Sequence, residues 1–99
     1  MSDISGILSM CRRAGKLIGG MDEVKSSCRK KEARLVLVTS DFSEKSYKDI
    51  KYLCEREKVP VLGIPGSMDD VGECVGRRFG VMAVTDKGFA ESIKLRLAD

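Results

Sequence analysis

Apolar residues recur along this chain in two alternating rhythms, and each rhythm predicts a different element. Ile4, Ile7, Leu8 and Cys11 stand at i, i+3, i+4 and i+7, the spacing that lines one face of an α-helix. Ser2 or Asp3 is the expected cap of that helix, and Gly15 lies just past its end. Leu17-Ile18 predicts a brief strand, and Val24 with Cys28 marks the inner side of a second helix. Arg34-Leu35-Val36-Leu37-Val38-Thr39 is β-rich yet barely alternates, so it is expected to be a central strand covered on both faces.

The second half repeats the alternation. Ser43 opens a third helix with Tyr47, Ile50, Leu53 and Cys54 along one stripe and Lys45, Lys48, Asp49 and Lys51 mostly opposite. Both Tyr47 and Tyr52 are expected to pack. Val59-Pro60-Val61-Leu62-Gly63-Ile64 is the next strand, with its proline tolerated near the start. Ser67 or Asp69 starts a fourth helix carrying Met68, Val71, Cys74 and Val75, and the basic loop Gly76-Arg77-Arg78-Phe79-Gly80 leads into the strand Val81–Thr85. A last helix places Phe89, Ile93 and Leu97 four apart. Helices and strands in alternation predict a three-layer α/β/α sandwich with a central sheet of about four strands and about five helices.

With 99 residues, 42% of them hydrophobic, the chain has material for one core, and residues 1–99 are expected to form one domain. Charge is unevenly spread: residues 1–34 hold eight Lys/Arg against four Asp/Glu, while residues 35–99 hold ten against eleven. A local basic excess favours a polyanion such as nucleic acid as partner. Membrane association is not expected, because no stretch approaches the roughly 20 apolar residues needed to span a bilayer. Met1-Ser2-Asp3-Ile4 carries an acid where a secretory signal needs positive charge, so the expected location is cytoplasmic.

Catalysis and cofactors find little support. Without histidine there is no general base suited to neutral pH and no Ser/His/Asp or Cys/His pair. Asp69 and Asp70 are neighbours that point to different sides of a helix. Gly63-Ile64-Pro65-Gly66-Ser67 lacks the Gly-Lys-Ser/Thr ending of a nucleotide-binding loop. Cys11, Cys28, Cys54 and Cys74 are irregularly spaced among apolar residues, which favours reduced core thiols over a disulfide or metal site. No catalytic residue, metal or cofactor is therefore expected.

Candidate chemistry lies in Lys16-Leu17-Ile18-Gly19-Gly20-Met21-Asp22-Glu23-Val24-Lys25. A glycine-flexed turn feeding a helix start offers free backbone N–H groups and the positive end of the helix dipole, a ready seat for phosphate. Arg12, Arg13, Lys16, Lys25, Arg29, Lys30, Lys31 and Arg34 surround it in sequence. Each residue also has a plain structural use. Gly19 and Gly20 serve the turn, Asp22 and Glu23 stabilise a helix N-terminus, and Lys25, Arg29 and Lys30 form an ordinary solvated face. Phe79, between Arg78 and Gly80, is either an exposed ring for stacking on an unpaired base or a lid on the core.

The order of elements, the Arg13-Ala14-Gly15-Lys16-Leu17 turn, the glycine pair before the second helix, Ala33 to Asp41, and Val84-Thr85-Asp86-Lys87-Gly88-Phe89-Ala90 together resemble the kink-turn-binding ribosomal-protein family. That family includes the archaeal ribosomal protein L-seven-Ae and small bacterial relatives, and the resemblance covers nearly the whole chain. It implies recognition of an RNA duplex sharply bent at an internal loop, where tandem sheared G·A pairs flank an extruded nucleotide. Relatives read those pairs through a pattern like G-x-N-E-x-x-K at the second helix. Here Gly20 matches the glycine and Glu23 the glutamate, while Arg77, Arg78, Phe79 and Val81 occupy the loop that supports the extruded base.

Two positions depart from the pattern: Asp22 stands where asparagine is usual and Ser26 where lysine is usual, with Lys25 adjacent. An ionised aspartate only accepts, and guanine presents the acceptors O6 and N7 in the major groove, so Asp22 would repel that edge or turn to amino groups instead. The expected function is non-enzymatic binding of structured RNA of ribosomal or regulatory type, in a monomer associated with the ribosome. Contacts are expected from Lys16, Gly20, Asp22, Glu23, Lys25, Arg29, Arg77, Arg78, Phe79 and Val81. The alternative is a protein-interaction or ribosome-assembly module that has kept the scaffold but lost kink-turn recognition.

Overall fold

Two tetrapeptides, Leu35–Val38 and Val81–Val84, are buried at every position, and the rest of the fold follows from covering them. The computed structural model describes residues 1–98 as α1 (Ser2–Arg13), β1 (Leu17–Gly19), α2 (Met21–Arg29), β2 (Leu35–Val38), α3 (Glu44–Glu57), β3 (Val61–Gly63), α4 (Met68–Val75), β4 (Val81–Val84) and α5 (Lys87–Leu97). The strands form one sheet in the order β1-β4-β2-β3. β4 runs antiparallel to both β1 and β2, and β3 joins β2 in parallel.

Successive side chains of a strand point to opposite faces, which is why β2 and β4 need apolar residues throughout. Leu35, Leu37, Met82 and Val84 enter one cluster with Ile4, Leu8 and Cys11 of α1, Val71 of α4 and Ile93 of α5. Val36, Val38, Val81 and Ala83 enter the other with Val24 and Cys28 of α2 and Ile50, Leu53 and Cys54 of α3. The three-layer sandwich therefore carries α1, α4 and α5 on one face and α2 and α3 on the other. All four cysteines are free, three of them buried. Cys11 is pushed up to about 11 by burial and by nearby Asp86, which suits an inert core thiol.

Local chemistry explains where the helices begin. The Ser43 side chain accepts from the Ser46 amide, and Ser67 and Asp70 form a reciprocal capping box at α4. Of the two residues expected to start α4, Ser67 is the cap. Ser2 and Asp3 both lie within α1, whose cap is Met1, so neither holds the position expected of it. Tyr47 packs against the α2–α3 cluster, but Tyr52 is 66% exposed. Two residues past Ile50, Tyr52 lies about 200° further round the helix, on the side away from the sheet.

Candidate RNA-binding surface

β1 is an edge strand of three residues, and its end sets the start of α2. The Gly20 amide donates to the Val81 carbonyl at 3.1 Å, which ties the turn to the first residue of β4. Gly20 caps α2 at φ 97°, a left-handed backbone that disfavours side chains, and no side chain caps the helix. The first-turn amides and the positive dipole end consequently face Asp22 and Glu23, both exposed.

Three distant segments converge here. The Phe79 ring lies against Gly19 so closely that a Cβ at position 19 would fall 2.2 Å from Cδ2 of the ring. Two guanidinium groups flank the ring, Arg12 from the end of α1 at 5.3 Å and Arg77 from the α4–β4 loop at 5.4 Å from its centroid. Both cations are thereby held beside the turn that starts α2. The glycine bend and the arginine-flanked loop share one side of the molecule, and Gly20 itself has open space where a side chain would project.

Two expectations need correcting. Phe79 is only 8% exposed, because its ring fills the hollow left by glycine at 19, so it offers no free face to a base. Val81 is 2% exposed and its side chain belongs to the α2–α3 cluster. It serves the surface through its backbone carbonyl, which holds Gly20 in place.

The remaining candidates differ in where the fold puts them. Glu23 and Asp22 stand in the first turn of α2, Lys25 and Ser26 are half-buried along it, and Arg29 is exposed in its last turn, about 13 Å along the axis from Gly20. Among the described residues, none of Asp22, Glu23, Lys25 and Arg29 joins an ion pair. Arg78 differs, since its Nε donates to Asp69 at 2.6 Å. Lys16 sits at the opposite end of β1 from Gly20, where its carbonyl accepts from the Thr85 amide. Thr85 also borders a shallow pocket of about 410 Å³ with Ile18, Lys31, Glu32 and Arg34. The cations thus form two groups, Arg12 and Arg77 at the start of α2 and Lys16, Lys31 and Arg34 around Thr85. Arg12 is absent from the contact set expected from sequence; its place beside Phe79 has no local signature, because the two residues meet only when α1 packs against α4.

Comparisons with known proteins agree with this fold. The family model described as the Ribosomal protein L7Ae/L30e/S12e/Gadd45 family matches residues 2–95. The chain is 35% identical over 88 residues to the RNA-binding protein YlxQ of Bacillus subtilis, covering 88% of this chain and 87% of that one. It is 32% identical over 97 residues to the large ribosomal subunit protein eL30 of Pyrobaculum islandicum, covering 96% of each. Among solved structures, a Bacillus halodurans protein of unknown function superposes with a TM-score of 0.89 at 22% identity over 96% of each chain. The 15.5kD RNA binding protein of Giardia lamblia superposes with a TM-score of 0.78 at 15% identity, over 97% of this chain and 82% of that one.

Proposed function

Because the chain belongs to the Ribosomal protein L7Ae/L30e/S12e/Gadd45 family, we propose that it binds structured RNA through the surface around the start of α2. Its preferred target is a kink-turn or a related bent internal loop. The membership is that of a non-enzymatic ribosomal-type protein, and two relatives bear RNA-binding and ribosomal-subunit names. Residues 1–99 act as one binding unit, a cytoplasmic monomer associated with the ribosome.

One observation carries the reading: an uncapped helix N-terminus with Asp22 and Glu23 exposed, flanked by Arg12 and Arg77 on a shared ring. Amides and guanidinium groups there engage phosphates and supply affinity that falls with salt. Glu23 and Asp22 accept from base amino groups and supply discrimination. Lys25, Arg29 and Lys16 extend the phosphate track, with Arg78 competing between phosphate and Asp69.

Titration with a kink-turn RNA and a plain duplex of equal length, each at two salt concentrations, tests the proposal. Tighter binding to the bent RNA at both salts is expected. Glu23→Ala should cost about 1–3 kcal/mol on the bent RNA and little on the duplex. Arg12→Ala and Arg29→Ala should weaken both RNAs about equally and flatten the salt slope. Equal affinity for both RNAs would sink kink-turn preference, and no binding to either would sink RNA recognition and leave a protein-interaction module on the same scaffold.

A further inference from the structure

Beneath the exposed side of α2, two thiols from different helices face each other. Cys28 of α2 and Cys54 of α3 are both fully buried, with Sγ atoms 3.9 Å apart. Cys11 and Cys74 belong to the opposite face of the sheet. We propose that Cys28 and Cys54 are an oxidisable pair that closes into a disulfide under hydrogen peroxide and cross-links α2 to α3.

The chemistry balances with peroxide as the two-electron oxidant. The Cys28 thiolate attacks one peroxide oxygen; an S–O bond forms, the O–O bond breaks, and the departing hydroxide takes a proton to become water. Cys54 sulfur then attacks the sulfenic sulfur of Cys28; the S–S bond forms, the S–O bond breaks, and a second water leaves with the Cys54 proton. Two thiols and one peroxide give one disulfide and two waters. Cys28 is suited to the first step because its contact with the Cys54 thiol holds it below the ordinary thiol range, with Arg29 adding to this against burial and Glu57. Cys54 is pushed up by the same contact and by its burial in the core, and stays a thiol until the second step. Burial keeps out bulky oxidants and leaves a small one that enters when the nine-residue α2 opens locally.

Geometry links the bond to the surface above it. Closing 3.9 Å to a disulfide of about 2.05 Å draws the second half of α2 toward α3 or twists it. That half carries Lys25 and Arg29, so oxidation is expected to weaken RNA binding at least about threefold, which corresponds to about 0.7 kcal/mol or more. This regulatory half rests on the RNA-binding reading; the bond itself does not.

Peroxide treatment of the full chain, followed by intact mass and peptide mapping, separates the two. Wild type should lose about 2 Da, yield a cross-linked Cys28–Cys54 peptide and regain its mass on reduction. Cys28→Ser and Cys54→Ser should each abolish the linked peptide, while Cys11→Ser and Cys74→Ser should not. A monomer that keeps all its thiols, forms sulfinic acid without a cross-link, or pairs other cysteines overturns the proposal. Oxidised and reduced wild type are then titrated with kink-turn RNA. Equal, measurable affinity overturns the regulatory half, whereas failure of the reduced protein to bind any RNA refutes the functional reading and leaves the disulfide standing on its mass evidence.

Discussion

Phe79 joins the core to the surface. Its ring fills the space beside Gly19 and holds two guanidinium groups at its faces or edge, so one side chain supports both packing and charge placement. Phe79→Ala should lower stability by about 3–5 kcal/mol in denaturant unfolding, the usual cost of emptying a buried phenylalanine site. Phe79→Leu keeps much of the volume but loses the quadrupole that attracts Arg12 and Arg77. It is expected to cost less stability than the alanine variant and still weaken RNA binding. Wild-type affinity in Phe79→Leu would show that the ring does not place those cations. Gly19→Ala attacks the same contact from the other side, because the new methyl group and the ring cannot occupy one space.

Among the elements, α4 shows how a sequence signal becomes a boundary. Ser67 accepts from the Asp70 amide and Asp70 accepts from the Ser67 amide, and together these bonds satisfy two donors left open at the helix start. Ser67→Ala should therefore cost about 1 kcal/mol, seen as a lower midpoint of denaturant unfolding with an unchanged slope. A loss within measurement error would mean that Asp41, which accepts from the Met68 amide at 3.0 Å, carries the cap alone. α2 is the contrast, since its start has no side-chain cap at all. Sequence patterning located both helix starts, one at Ser67 or Asp69, the other after a glycine pair. Only the second leaves its amides open to a ligand.

Across the molecule, two carboxylates tie separate parts of the chain together and make stability depend on pH. Asp41 is held below the ordinary carboxylate range by a hydrogen bond from Thr39 and the Met68 amide. Glu57 is held below it by a hydrogen bond from Lys31, its partner at 2.5 Å. Both values are lower in the folded chain than in the unfolded one. The stabilisation is thus complete above the ordinary carboxylate range and is lost as pH falls through the folded values. Thermal unfolding should be insensitive to pH between about 7 and 5 and fall on further acidification. In the double variant Asp41→Asn, Glu57→Gln that acid slope should be shallower; an identical slope would place the sensitivity elsewhere.

Periodicity along the chain was enough to establish five helices, four short strands, their order and the burial of Leu35–Val38, whereas the equal burial of Val81–Val84 came only with the structure. Apolar spacing is a local record of which side of each element is covered, and it survives without knowledge of the partner. Strand order is another matter: β4 inserts between β1 and β2, although its sequence neighbours are α4 and α5. The pairing of Cys28 with Cys54, the burial of Phe79 and the meeting of Arg12 with Arg77 depend on it in the same way. A repeating pattern says that a residue is covered but not by what, because contacts between distant segments exist only once the layers have packed.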